Sequence, residues 1–570
     1  MKNPQGIIVD KVGFGLAKDF EKATAQNPPA GQSIQRKWNL NYDSPQDTNN
    51  NSVDFQIFNA PTPKAPTPRF YLFDNFSFTQ DTILKKSLSP YLFKNNISVS
   101  EGVTLTIEPG VVIKFFDTGS NLNVAGTVKA IGTDADKIVF TSFSDDEYGG
   151  DTNGDGSLSS PSDGEWRVIN FTNNSSGSEF EDAVFRYGGA YLPQGAAVKV
   201  EQSSISIKNS IFEKNLNRGL YLLNSLAVIA NSRFLNQQRV DMWSDFNAVA
   251  IHAIGGNVQI TDNYFKDNNY GVFIELGSIG TGEADVNVQN NNFENNWHPV
   301  ILNTFNGPSF SGNKILGDAD ALGTIAAIWV RADMEKDTIL EPDLPYLFDK
   351  IMVVPEGMTL TLKPGVIMAF QDNWDGLQIG GTLKAVGTSD KPIIFRSYYY
   401  DRDWILPGGW NGLWFLETSK DSDLESVDVN LSGAFYADGR SFGAAIRVDQ
   451  SSILLKNSII QHNKNNGVWL QNSSSVVDNV KFLDHRTQIY GITPGKAVFV
   501  QGGSPTINNS SFQDQPYGIY EDEWIKPDTS AIVCPTPILN SNTFSNSEIK
   551  DIFETDKSIT DCAIPVVPAD

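Results

Sequence analysis

The chain has 570 residues, too many for one ordinary core, and its 40% hydrophobic content can fill several domains or a long repeat array. Lys plus Arg number 43 and Asp plus Glu 67, a formal net charge of −24, which excludes a phosphate-tracking nucleic-acid binder because that needs a basic face. No run of about eighteen apolar residues marks a membrane span, and two cysteines with four histidines leave no disulfide framework and no Cys- or His-rich metal centre.

Residues 1–60 begin without the apolar core of a signal peptide, since Met1-Lys2 leads into Asn3-Pro4-Gln5-Gly6. Gly31-Gln32-Ser33-Ile34-Gln35-Arg36-Lys37 and Asp47-Thr48-Asn49-Asn50-Asn51, followed by Asp54-Phe55, are fairly specific motifs. They resemble the C-terminal part of a lamin-tail-like domain, an immunoglobulin-like β-sandwich of secreted bacterial proteins. Sixty residues are too few for a complete sandwich of about 100. The expectation is an N-terminally truncated chain with an extracellular or cell-surface location. Residues 61–68, PTPKAPTP, read as a stiff proline-rich linker within a lead-in over 61–80.

From there the chain repeats itself. EGVTLTIEPGVVI at 101–113 returns as EGMTLTLKPGVIM at 356–368, an offset of 255. The offset shifts to 244 at Trp166 and Trp410, so the first copy carries an eleven-residue insertion. It settles at 248 for AAVKVEQSSISIKNS (196–210) against AAIRVDQSSILLKNS (444–458). The chain is a tandem duplication, with one copy over 81–335 and the other over 336–570.

A shorter repeat lies inside each copy. Asn209-Ser210-Ile211-Phe212 recurs at Asn231, Asp262 and Asn290, with aromatics at Phe234, Phe265 and Phe293. The second copy answers with Ile460, Phe482, Phe512 and Phe544. Runs such as Ile205-Ser206-Ile207 alternate with period two, the mark of strands with one buried face. Strand and turn repeating at a period in the twenties predict an all-β stacked solenoid of two units. The recurring Asn is expected to stack as an amide ladder at a turn. These blocks resemble the right-handed parallel β-helix repeat family of secreted bacterial proteins. The resemblance implies right-handed coils and surface display.

Asp151-Thr152-Asn153-Gly154-Asp155-Gly156 is the strongest chemical motif. It matches the first half of a calcium loop, with oxygen ligands at alternate positions and Gly at the turn. The expected ligands are Asp151, Asn153, Asp155, the Ser157 carbonyl and Asp163, holding a structural Ca2+ in the first copy only. The alternative is an acidic, glycine-rich turn without metal. In a secreted chain, Cys534 and Cys562 are expected to form a disulfide that pins the last coil.

Catalytic constellations are weak. Lys199 and Glu201 return as Arg447 and Asp449, so they read as a repeated solvated face. Asp241, Asp245, Asp401 and Asp403, beside Trp243 and Trp404, read as wet loops. His252 and His298 lack an evident nucleophile and read as packing groups. Two functional readings compete. One is a non-catalytic extracellular scaffold for adhesion or glycan contact, with a polysaccharide or cell-surface ligand as partner. The other is a pectate-lyase-like lyase or hydrolase of acidic polysaccharides. Nothing in the sequence sets an oligomeric state.

Overall fold

A computed structural model describes residues 11–39, 44–58, 70–156, 158–190, 195–237, 248–275, 285–305, 308–317, 326–399, 407–433, 443–485, 495–527, 530, 532–547 and 549–554. The chain divides into two units. The first is Met1–Phe273 with Gly277–Asn287 and Asn291–Trp297; the second is His298–Asp570 with Ile274–Leu276 and Val288–Asn290.

In the first unit, Ser33–Arg36 pairs antiparallel with Phe55–Phe58, and Trp38–Asn39 with Ser44–Pro45. The Asp-Thr-Asn-Asn-Asn motif has a local physical reason. Buried Asp54 accepts from the Thr48 N–H at 2.9 Å, the Thr48 hydroxyl at 2.8 Å and the Asn50 N–H at 3.2 Å. Asn50 in turn caps the single helical turn Asn51–Asp54. The immunoglobulin-like assignment of this segment rests on resemblance alone.

Beyond Phe70 each coil gives one strand to each of three parallel sheets, named A, B and C in chain order. Sheet A stacks Tyr71–Asp74, Tyr91–Lys94, Val112–Phe115, Ile138–Ser142, Ala183–Arg186, Ile211–Glu213, Arg233–Leu235 and Tyr264–Lys266. Sheet B stacks Asn96–Val99, Asn121–Val124, Val168–Phe171, Val198–Glu201, Arg218–Leu223 and Val249–Ile254. Sheet C runs from Thr82–Leu84 through Thr104–Ile107, Thr127–Ile131, Ser178–Glu181, Ser204–Lys208 and Leu226–Ala230 to Asn257–Thr261.

The second unit repeats the three-sheet coil, and its strands are named after their duplicated counterparts in the first. Its sheet A includes Tyr346–Phe348, Ile367–Phe370, Ile393–Ser397, Val427–Asn430, Ile459–Gln461, Lys481–Leu483, Ser511–Gln513 and Thr543–Ser545. Its sheet B runs Ile351–Val354, Gly376–Ile379, Gly412–Phe415, Ala444–Asp449, Asn466–Ser473, Lys496–Gly503, Tyr517–Asp522, Lys550–Glu554.

Alternation decides which face is buried. In Val198–Glu201 the two valines point into the core while Lys199 and Glu201 reach outward. The recurring aromatics fall in register and stack coil on coil: Phe185 on Phe212 at 4.5 Å, Phe212 on Phe234 at 4.9 Å and Phe234 on Phe265 at 5.1 Å. In the second unit Phe482 lies on Phe512 at 5.0 Å and Phe512 on Phe544 at 4.8 Å. Each fully buried ring contributes about 1.5–3 kcal/mol of transfer energy.

In the second unit the amide ladder forms where expected, Asn479 Nδ2 donating to Asn457 Oδ1 at 2.8 Å, whereas in the first it forms one residue later. Asn209, Asn231, Asp262 and Asn290 adopt left-handed backbone with φ of 50°, 50°, 57° and 54°, a conformation Asn and Asp tolerate. The following residue turns inward. Asn263 Nδ2 donates to the Ile229 carbonyl at 3.0 Å and to Asn291 Oδ1 at 3.1 Å. Both copies also need a glycine at one turn. A Cβ on Gly126 would lie 2.2 Å from the Val103 carbonyl oxygen, and one on Gly381 2.2 Å from that of Met358.

Candidate functional site

The insertion in the first unit follows the sheet A strand Ile138–Ser142 and is held by two buried cations. Lys114 Nζ donates to the carbonyls of Asp145 and Gly150, each at 2.7 Å, and to Thr152 Oγ1 at 2.8 Å. Burial pushes this ammonium down to about 8, against the pull of Asp145, Asp146 and Asp151. Arg186 lies 3.6 Å from Asp145, 2.8 Å from Glu147 and 3.3 Å from Glu213. Despite its burial, Asp145, Tyr187 and Glu213 hold it above its ordinary value. Ala369 and Asn430 stand at the corresponding positions of the second copy. A cation present only in the copy with the insertion was the sequence signal for these anchors.

Within the insertion, carboxylate oxygens of Asp146, Asp151 and Asp155 lie within 4.8 Å of one another. Asp151 is oriented by the backbone. Its Oδ1 accepts from the N–H groups of Gly154 at 2.7 Å and Asp155 at 3.1 Å, and its Oδ2 from Gly156 at 2.9 Å. Asp146 Oδ1 and Asp155 Oδ1 are buried without a hydrogen-bond partner. Burying an anionic oxygen without a donor is costly, and a hard divalent cation fits such a pair. Burial, then Asp151, raises the Asp146 carboxyl above its usual range.

The expected ligand set is only partly brought together. Asn153 Nδ2 donates to Asp155 Oδ2 at 3.0 Å and to Ser159 Oγ at 2.8 Å, and its Oδ1 accepts from the Asp155 N–H at 3.3 Å. Asp163 stands apart from the three clustered carboxylates, with Lys214 and Glu165 as its charged neighbours. Asp146 joins the cluster instead. Ser157 and Cys562 lie outside the described residues, whereas Cys534 lies inside them.

Sheet B carries the other candidate surface, because alternation sends every second side chain outward. In the first unit the outward column reads Ser98, Asn123, Asn170, Lys199, Tyr221 and His252, each opposite the next. In the second it reads Gln378, Trp414, Arg447, Trp469, Phe499, Tyr520 and Phe553. The Arg447 guanidinium is sandwiched 4.9 Å from the Trp414 ring and 4.5 Å from the Trp469 ring. Trp469 and Phe499 centroids are 5.4 Å apart, and Tyr520 stacks on Phe553 at 4.6 Å. At the start of this column a cavity of about 560 Å³ is lined by Trp374, Trp414, Gln378, Asp349, Asp372 and Asp375 among others.

Two carboxylates around this column are engaged. Asp449 accepts from Trp414 Nε1 at 2.9 Å and Arg447 Nε at 2.8 Å. Asp375 accepts the Asp372 N–H at 2.9 Å. It is only 3% exposed, and burial, with Asp372 and Asp349 nearby, pushes it up to about 7. Ser120 closes the same turn in the first unit, accepting from the Asp117 N–H at 3.3 Å and donating to Asp117 Oδ1 at 2.9 Å.

The repeated pairs are ion pairs in both units, Lys199 with Glu201 at 3.0 Å and Arg447 with Asp449 at 2.8 Å. His252 is buried, accepts from Arg218 Nε at 2.9 Å and stacks on Phe273 at 4.5 Å. His298 is buried against Trp329 at 4.3 Å. Burial and Arg331 push it down to about 3, so it stays neutral. The loops with Asp241, Trp243 and Asp245, and with Asp401, Asp403 and Trp404, lie outside the described residues. Among the described residues no helix is long and apolar enough to cross a membrane.

Comparison with known proteins places the coils. A family model described as right handed beta helix region matches residues 167–315 and 421–524. Protein bark beetle of Drosophila melanogaster is 47% identical over 64 residues, which are 11% of this chain, and the match spans 2% of that protein's length. PfbA, a surface adhesin of Streptococcus pneumoniae, is 14% identical, with 80% of this chain and 85% of that chain covered and a TM-score of 0.19. A tailspike protein of E. coli bacteriophage HK620, solved with a pentasaccharide, is 12% identical, with 80% and 72% covered and a TM-score of 0.21. With its parallel sheets stacked coil on coil and the family model matching coils in both copies, the chain has a right-handed parallel β-helix fold.

Proposed function

We propose that the protein is a non-catalytic extracellular or cell-surface scaffold that contacts glycans along the outward face of sheet B, with a structural calcium ion ordering the acidic insertion. The observation that carries this reading is the outward column Trp414, Arg447, Trp469, Phe499, Tyr520 and Phe553. The stacked rings cover one another's faces and turn their edges outward as a rigid apolar strip for the C–H groups of sugars, and the arginine and amides beside them meet hydroxyls. Coil stacking repeats the strip along the sheet, as an extended chain of sugars requires.

A lyase or hydrolase remains the second reading, favoured by Asp372 and Asp375 beside Trp374. Against it, Asp375 is tied into a turn that a serine closes in the other copy. Asp449 is likewise held by its own neighbours. A catalytic acid must reach its substrate, and neither carboxylate is presented for that.

The test is a glycan array on the full chain and on Trp414→Ala and Trp469→Ala. Binding that falls at least about tenfold in both variants is expected, since buried aromatic anchors carry on the order of 2 kcal/mol each. Binding unchanged in both variants would remove sheet B of the second unit as the contact surface.

A further inference from the structure

The duplication places a second groove at the matching position of the first unit, and its chemistry has diverged. It encloses about 920 Å³ over sheet B. Where the second unit presents Trp414, the first presents Asn170; where it has Gln378, the first has Asn123. The groove's charged lining residues, among those described, are Arg167 and Lys199, and no carboxylate lines it. Of the two, Arg167 has no facing acid in the groove, on a chain of net charge −24.

The amides here form a fixed relay. Asn123 Nδ2 donates to Asn96 Oδ1 at 2.6 Å and to Asn121 Oδ1 at 2.7 Å, and Asn170 Nδ2 donates to Asn123 Oδ1 at 3.3 Å. That relay ends on an unanswered acceptor. Asn170 Oδ1 is buried with no hydrogen-bond partner, a condition that costs about 1–3 kcal/mol unless a donor arrives. Lys199 is already paired with Glu201 at 3.0 Å. Arg167 is exposed and belongs to no hydrogen bond or ion pair of its side chain among the described residues.

We infer that this groove is a separate binding site for a carboxylate-bearing saccharide such as a short uronate oligomer. Arg167 meets the carboxylate through its planar fork of N–H donors, and a ring hydroxyl meets the amides that line the groove, Asn170 turning its Oδ1 out of burial to accept it. A neutral sugar would satisfy the amide and leave the guanidinium unused. A long polyanion would meet the repulsion of the whole chain, so short oligomers fit better than polymer. The inference rests on the glycan-contact reading and adds a ligand class and a second location to it.

Titration calorimetry on the full chain tests it, with a short oligogalacturonate and its carboxyl-reduced counterpart as probes. Arg167→Gln is expected to weaken the acidic oligomer about tenfold or more and to leave the reduced one unchanged. Asn170→Ala is expected to weaken both, and Trp469→Ala in the second unit neither at this site. Because Arg167 is exposed, its replacement leaves the fold in place, checked by an unchanged thermal melt. Equal affinity of wild type and Arg167→Gln for the acidic oligomer overturns the inference. Neutral glycans bound through Trp469, with no acidic oligomer bound, overturn it while the scaffold reading stands. No glycan bound by any form of the protein overturns both.

Discussion

Asp375 occupies a turn where the other copy places Ser120, and the exchange puts a carboxyl where a hydroxyl suffices. Its folded pKa, pushed up to about 7 from an ordinary 3.8, has a definite consequence for stability. Between those values the unfolded chain has released the proton and the folded chain keeps it, so stability falls as pH rises through that window and stays lower above it. Asp375→Asn keeps an acceptor for the Asp372 N–H and removes the titration. Thermal melts between pH 4 and pH 8 are expected to show a variant that gains on wild type with rising pH, on the order of a few kcal/mol at the upper end. Parallel curves would contradict the buried, protonated carboxyl. Lys114 makes the opposite case, a buried charge that satisfies three oxygens. Lys114→Met leaves those oxygens without their donor, at a cost of about 2–4 kcal/mol. Amide hydrogen exchange across 144–156 is expected to accelerate in this variant, and unchanged exchange would show the anchor to be dispensable.

At the scale of coils and loops, the stacked sheets and their phenylalanine register were legible because alternation and spacing report burial directly. Phe212, Phe234, Phe265 and Phe293 face the core as their recurrence required. The ladder stands at the expected position in the second unit and one residue later in the first, where a left-handed Asn or Asp turns the next residue inward. The acidic insertion was legible as a motif, but its partners were not. Asp146 enters the cluster and Asp163 stands outside it, since loop path and not sequence spacing decides which carboxylates meet. The aromatic column of sheet B escaped sequence reading because its members come from coils far apart in the chain, with nothing local joining Trp414 to Phe553. Two measurements address these elements. Phe234→Ala should cost about 3–5 kcal/mol through the cavity it leaves in the stack. For the insertion, calcium at about 100 times a dissociation constant near 10⁻⁴–10⁻³ M should stabilise by about 2.7 kcal/mol. That gain should vanish with chelator and in Asp151→Ala with Asp155→Ala. A melt indifferent to calcium in the wild type would remove the ion from the account.

Across the whole molecule, one coil design is used twice and specialised twice. The first copy carries an acidic insertion with its own buried cations, and the second carries Trp414 and Trp469 where the first has Asn170 and Tyr221 on the outward face of sheet B. Solenoids distribute stability over neighbouring coils, so their ends need protection. The expected Cys534–Cys562 bridge would supply it at the C-terminal end, contributing roughly 3 kcal/mol. Thiol titration in denaturant without reductant should find no free thiol; two would contradict the bridge. On the proposed reading, the outward face of sheet B holds glycans and leaves them intact. The most direct measurement incubates the full chain with each glycan it binds and follows the bound sugar by mass spectrometry, alongside reducing-end and unsaturated-product assays. Every bound glycan is expected to be recovered at its original mass, with no new reducing ends and no unsaturated product. Turnover of any bound glycan, abolished by Asp375→Asn or Asp372→Asn, would contradict it and make the cavity beside Trp374 an active site.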